Sequence, residues 1–491
     1  MKLPTTITGP VLAALSFAAP AFAQQRPVDR ISHVFVLYLE NRSFNNLFGE
    51  FPGANGIANA KANGLGAQRD RDGRLLNALP PPRHRPFDQS ENPAELRAVP
   101  FPTLPNGPFA IDKIAPGVST TTRTLNPTHL FHTNRAQING GANDLFAAYS
   151  SVRGFTMGYY SRDAMESSHL WRLARENTLL DRFFMGAFGG SFLNHQYLVC
   201  ACAPKWENAP EGERSKLDAS GRPVLRDEAE NFFEDNRVTR REDGNLAVNT
   251  TQSVFLNAGG RVLLPPQTAP TIGDRLSDRQ VEWAWYSGGF ELAARTDRTQ
   301  QETNYLNGAL RFQWHHQPFA YYARFNPAEA QGREQRTRHL RDAGRLLDDI
   351  KSGRLPAVSF YKPVGALNQH PGYTVIEKGD EEVASIAKAL AESPMKDSYL
   401  LVITYDENGG FWDHVAPPMG PQAGARADFL GPGSRIQALL VGPFARKGKI
   451  DSTEFETSSI LKLITERFNL EPLPSPRVQA VTSLAQALAL D

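Results

Sequence analysis

The sequence predicts an α/β protein built on a largely parallel central sheet, with helices on both faces and long loop-rich insertions. Three observations predict it. Short apolar runs rich in β-branched residues recur along the chain, the pattern of strands buried on both faces. Segments with helical spacing stand between them, an alternation that belongs to a parallel sheet. Two of the runs end in carboxylates, and open α/β sheets place their chemistry at the carboxyl ends of strands.

The 491 residues allow one large domain with insertions or two to three average domains. We read residues 24–491 as one catalytic domain with insertions at about 50–125 and 203–275. Lys plus Arg (53) nearly balances Asp plus Glu (52), so no global basic surface points to nucleic acid. Residues 1–23 read as an export signal: Lys2, an apolar stretch from Val11 to Ala19, and the small-x-small site Ala21-Phe22-Ala23. That stretch is too short to span a bilayer and no later segment is longer, so a periplasmic or secreted protein without a transmembrane segment is expected. Cys200 and Cys202 are the only cysteines. They exclude a four-cysteine zinc site or a disulfide scaffold, and leave open a bridge or two buried thiols.

Taken in order, Ile31–Leu39 is the first strand, ending in Glu40-Asn41-Arg42, and Ser43 caps a short helix from Phe44 to Phe48. Residues 50–125, rich in Pro, Gly and charge, cover the sheet edge or rim a pocket; a disordered insertion is the competing reading. His129 and His132 follow. Arg162–Asn177 has helical spacing, with Met165, Leu170, Leu173 and Ala174 facing inward, and Thr178–Phe184 is a strand. In Gly189-Gly190-Ser191-Phe192-Leu193-Asn194-His195 the glycines let the backbone approach a ligand. Ser191 either opens a helix whose N–H groups favour phosphate oxygens or simply caps it. Asn194 and His195 share its helix face.

Val281–Tyr286 is a further strand, and the adjacent His315 and His316 can serve one ligand only from a loop. Arg338–Lys351 reads as a charged amphipathic helix. Ala357–Tyr361 is a buried strand followed by His370, and Glu381–Ala391 is a helix leading into the strand Tyr399–Thr404. That strand delivers Asp406-Glu407-Asn408-Gly409-Gly410-Phe411-Trp412-Asp413-His414. Either strand exit alone reads equally well as a solvated loop. Side by side, Glu40, Asn41, Asp406 and Glu407 are hard oxygen donors suited to Ca²⁺, Mg²⁺ or Mn²⁺ rather than zinc.

Glu40-Asn41-Arg42-Ser43-Phe44, together with Asp406 to His414, resembles the paired signatures of a bacterial phosphoesterase family. That family contains acid phosphatases and non-specific phospholipases C and belongs to the alkaline-phosphatase superfamily. Gly431–Val441 and Thr457–Ile464 resemble its closing strand and final helix. The resemblance implies one oxygen-ligated divalent metal ion held by Glu40, Asn41, Ser191, Asp406 and Glu407, and phosphoryl transfer through a phosphoserine at Ser191. It makes His132, His315, His316 and His370 phosphate contacts, one of them the general acid, with Asn194, His195, Asp413 and His414 supporting them. Gly-Gly-Ser-Phe-Leu-Asn-His resembles the nucleophile segment of the acid-phosphatase branch, where phospholipase C relatives carry Thr followed by Pro-Asn-Arg. The expectation is therefore an exported acid phosphatase acting on phosphomonoesters, with an acid optimum set by cationic histidines. The alternatives are a phospholipase C-type phosphodiesterase acting on phospholipid headgroups and a non-catalytic metal- or phosphate-binding protein of the same fold.

Overall fold

In the computed structural model the first apolar run forms a strand, β1 (His33–Leu39), buried along all but its first residue. The structure describes Met1 and residues 26–490 except Gln89 and Asp243; the predicted export signal lies outside the described residues. Eight further strands complete the sheet: β2 (Thr178–Phe184), β3 (Trp283–Ser287), β4 (Leu340–Asp342), β5 (Val358–Lys362), β6 (Tyr399–Tyr405), β7 (Arg435–Val441), β8 (Lys449–Asp451) and β9 (Phe455–Glu456). Their order is β4-β3-β5-β1-β6-β7-β2-β8, with β9 also on β2. β7 alone runs against its neighbours; the other pairings in the sheet are parallel. Every residue of β5, β6 and β7 is buried, which requires cover on both faces.

The cover comes largely from helices. These are α1 (Phe44–Phe48), α2 (Phe131–Ile138), α3 (His169–Glu176), α4 (Ser191–Cys200), α5 (Ile376–Ala391) and α6 (Thr457–Phe468). α3 packs on α5, and α4 packs on α6. Residues 50–125 hold only short helices and a two-residue strand, yet Leu79, Phe87, Leu96 and Ile111 are buried in the main core. The described part of 203–275 holds three small two-stranded pairs: Leu225–Asp227 with Phe232–Phe233, Val238–Arg241 with Gly244–Ala247, and Gln252–Ser253 with Leu263–Leu264.

Two helix expectations need correction. The helix expected over 162–177 is broken, because the Ser168 side chain accepts from the Trp171 N–H and starts a new helix at His169. The helix expected over 338–351 also fails. Its first residues end a helix at His339, which stacks on Trp283 at 4.2 Å. Leu340 to Asp342 then pair with Trp285 to Ser287 as β4, and a second helix begins at Leu346. Edge pairing and burial of Leu340 outweigh its helical preference. The cysteines form a disulfide, Cys200–Cys202, at the end of α4.

The loop after β6 is tied down by a buried ion pair. Arg435 of β7 donates to Asp413 Oδ1 (2.9 Å), Asn45 Oδ1 (3.1 Å) and the carbonyls of Asn55 and Asp181 (both 2.8 Å). Asp413 Oδ2 accepts the Asn45 N–H at 2.9 Å, and Ser43 Oγ donates to the Trp412 carbonyl at 2.9 Å. His414 sits between Asn45 and Asn55. Asp413 and His414 thus brace α1 against the β6–β7 loop. Removing one partner leaves a buried charge, so Asp413→Ala is expected to cost roughly 3–5 kcal/mol of stability. Urea unfolding at equilibrium checks this; a loss within error of zero would contradict it.

Candidate active site

The parallel register sets Leu39 beside Tyr405, so the next residues, Glu40 and Asp406, leave the sheet side by side. The Asp406 N–H donates to the Leu39 carbonyl at 3.1 Å, and the Arg42 N–H to the Glu407 carbonyl at 3.1 Å. Asp406 Oδ1 accepts the N–H groups of Glu407 (2.8 Å) and Asn41 (3.3 Å). Asn41 takes a left-handed conformation, φ +63°. Gly409 is left-handed too, and a Cβ there would fall on the Asn41 carbonyl oxygen, so glycine is required for the two exits to meet.

Ser191 arrives from the loop after β2. Gly189 has φ +87°, and a Cβ on it would lie 2.6 Å from Phe131 Cα. Gly190 is the extended cap, which makes Ser191 the first residue of α4. The Asn194 side chain clamps this turn, accepting from the Ala187 N–H (2.9 Å) and donating to the Ala187 and Gly190 carbonyls. Ser191 Oγ donates to Asn41 Oδ1 at 3.3 Å.

Histidines collect around Glu40. His316 Nε2 lies 2.7 Å from Glu40 Oε1, and His370 Nε2 lies 3.7 Å from Oε2. His315 and His316 come from one 3₁₀ turn, Trp314–His316, with ring centroids 4.4 Å apart. His195 stacks on His316 at 4.8 Å, and its Nδ1 is 2.7 Å from the Ser191 carbonyl.

His132 is the histidine expected at the phosphate, but the structure brings His129 to the carboxylates instead. His129, in the extended lead-in to α2, has Nε2 3.4 Å from Asn41 Nδ2 and 3.8 Å from Glu407 Oε1. His132 lies inside α2, on Thr239 Oγ1 (3.0 Å) and against Phe131 and Phe429, outside the cluster. Sequence reasoning passed over Lys362 altogether. It ends β5, and its Nζ is 2.8 Å from Glu40 Oε1 and 3.7 Å from Asp406 Oδ2. The signal was a charged residue closing a buried strand, the same signal that marked Glu40 and Asp406.

Glu40, Asp406 and Glu407 are all 0% exposed. Asp406 Oδ2 and Glu407 Oε1 have no hydrogen-bond partner, and neither Glu40 oxygen has an aligned one despite its close neighbours. Burial pushes Asp406 up to about 7, and burial with the adjacent Asp406 holds Glu407 well above the carboxylate range. Burial would raise Glu40 too, but His316 and Lys362 together hold it well below. Both lie close to it, His316 Nε2 and Lys362 Nζ at 2.7 and 2.8 Å from Glu40 Oε1. Burial also takes His370 to about 3 and His315 well below its usual range. Burial thus works against the cationic histidines on which the expected acid optimum rests.

Burial raises Asp406 and Glu407 because their ionised forms lack a counter-charge; with all three carboxylates ionised, a divalent cation beside the Lys362 ammonium would balance them. The donors, carboxylate and amide oxygens with a hydroxyl, suit Ca²⁺, Mg²⁺ or Mn²⁺. Among the described residues no three histidine, aspartate or glutamate side chains converge into a ready-made shell. The fit is therefore one of charge and donor chemistry.

A profile of the Phosphoesterase family matches residues 31–471. Phospholipase C B of Mycobacterium tuberculosis (strain H37Rv) is 24% identical over 96% of this chain and 78% of its own length. Non-hemolytic phospholipase C of Burkholderia pseudomallei is 26% identical over 92% of this chain and 57% of its own. Among solved structures, a protein in the alkaline phosphatase superfamily from Vibrio parahaemolyticus aligns with 74% of this chain and 73% of its own. Its identity is 10% and its TM-score 0.29, too low to carry an argument.

The placements of His129 and His132 can be separated by experiment. His129→Ala is expected to lower kcat/KM on p-nitrophenyl phosphate by on the order of 10²-fold. His132→Ala should change it by less than about threefold while lowering the melting temperature through lost packing. Equal losses of activity would contradict the assignment.

Proposed function

We propose that this chain, a phosphoric ester hydrolase that belongs to the Phosphoesterase family, works through Ser191 as nucleophile beside one divalent ion. The observation that carries the reading is Ser191 Oγ on Asn41 Oδ1, at the start of α4 and next to three buried carboxylates with unpartnered oxygens. Glu40, Asn41, Asp406 and Glu407 would hold the ion. When bound, it would lower the pKa of the hydroxyl and offset charge on the phosphate oxygens.

The protein's own groups do the rest. Ser191 Oγ attacks phosphorus, the bond to the leaving ester oxygen breaks, and that oxygen takes a proton. Water then cleaves the phosphoserine and restores the hydroxyl. The first N–H groups of α4 point where non-bridging oxygens would sit. His129, His315, His316 and His370 are the candidate proton donors. His195, with Nδ1 2.7 Å from the Ser191 carbonyl, is assigned to supporting the nucleophile rather than to proton donation.

The full-length relatives are named phospholipases C, so we favour cleavage of a phospholipid headgroup over the acid-phosphatase expectation. A phosphomonoester substrate is the second reading, supported by the Gly189-to-His195 segment. No helix of the described residues is long and apolar enough to cross a membrane. The Cys200–Cys202 bridge supports an exported protein in an oxidising compartment, periplasmic or secreted.

Ser191→Ala should stay folded and keep its metal while losing on the order of 10³-fold or more in kcat. A folded, metal-bearing variant with native turnover would sink the nucleophile. The ratio of kcat/KM on phosphatidylcholine to that on p-nitrophenyl phosphate separates the two substrate readings. A ratio above one is expected, and a ratio below one selects the phosphomonoester.

A further inference from the structure

Lys362 has no part in the chemistry assigned above, yet it lies at the centre of the charges. It is 0% exposed, a burial that lysine almost never reaches unless it is paired. Its ammonium lies between Glu40 Oε1 and Asp406 Oδ2, and 3.4 Å from the Leu39 carbonyl, with its Nζ 5.2 Å from the centroid of the Tyr38 ring. Both anionic partners are among the residues that would hold the ion, so ammonium and ion draw on the same oxygens. Arg42, also buried, turns its guanidinium to the Gln369 carbonyl and Asn46 Oδ1.

The same contacts set the formal balance of the loaded site. With Glu40, Asp406 and Glu407 all ionised against Lys362, one divalent cation neutralises the cluster. Without the ammonium a third negative charge is uncovered in the same dry volume, enough to hold the first ion harder or to admit a second. We propose that Lys362 is a positioning residue acting as the fixed second cation of the site: bridging Glu40 and Asp406, it limits the site to one divalent ion per chain. The inference rests on the metal reading given under the proposed function.

The test compares the wild-type protein with Lys362→Met, measuring Mn²⁺ per chain by elemental analysis after equilibrium dialysis and affinity by calorimetry. Wild type should hold one Mn²⁺. The variant should hold a second ion, or bind the first at least about tenfold more tightly. One ion at unchanged or weaker affinity in the variant overturns the role of Lys362, as do two ions in the wild type. No ion in the wild type overturns the metal reading, and this inference with it. If Lys362→Met does not fold, Lys362→Met/Glu40→Gln, which removes one charge of each sign, should fold and bind one ion. A double variant that fails to fold as well marks Lys362 as structural and overturns the proposal.

Discussion

Negative charge concentrated at the dry ends of neighbouring strands is the constraint on which this structure depends. Hydrogen bonding between β1 and β6 brings Glu40 and Asp406 together whatever their electrostatic cost, because the register of seven paired residues is worth more than the repulsion. The surroundings then answer that cost. Lys362 comes from β5 on the other side of β1, peptide N–H groups of the two exits point at Asp406, and His316 and His370 turn ring nitrogens to Glu40. Each is a partial answer, and under the proposed function a divalent cation would supply the rest.

A second ion pair does the opposite job. Arg435 and Asp413 are as deeply buried as the carboxylates, but each is matched by the other and by well-aligned hydrogen bonds. The saturated pair holds α1 and the β6–β7 loop in place, while the unsaturated cluster a short distance along the same loop stays reactive. Stability and reactivity are thus divided between two sets of residues within one motif, Asp406 to His414. This division explains why the motif reads as one signature although only its first half belongs to the site.

The large features were legible in the sequence because they rest on local pattern. β1 and β2 need an apolar run, and Ile31–Leu39 and Thr178–Phe184 supply one, whereas β7 was legible only because Gly431–Val441 resembles the family's closing strand. The pairing of Glu40-Asn41 with Asp406-Glu407 was legible because both sit at the ends of such runs. What escaped depends on neighbours distant in sequence. Arg338–Lys351 has helical composition, but β3 offers Leu340 an edge to pair with, and no local pattern announces that edge. His129 and His132 differ only in which side of the α2 start they occupy, a matter of one turn of backbone. Lys362 was hidden by convention: a lysine after a strand is ordinarily a solvated exit, and only the carboxylates from two other strands make it a buried cation. The finer substrate class was least legible of all, since it depends on the pocket rim rather than on the phosphate-handling core that the motifs encode.

The position of β1 carries a consequence for how the chain comes into being. Among the described residues it precedes every other strand of the sheet, and its two partners, β5 and β6, follow roughly 320 and 360 residues later. Throughout that interval a seven-residue apolar segment has neither of its ladders, and both its edges can pair with another chain. Long-range parallel pairing is also slow to form. The central sheet therefore cannot close in step with synthesis, and a chain released before Tyr399 carries Glu40 and Ser191 without the strands β6 and β7 that join β1 to β2. Segment 33–39 is where a holding factor would have to act, and where a truncated product would aggregate.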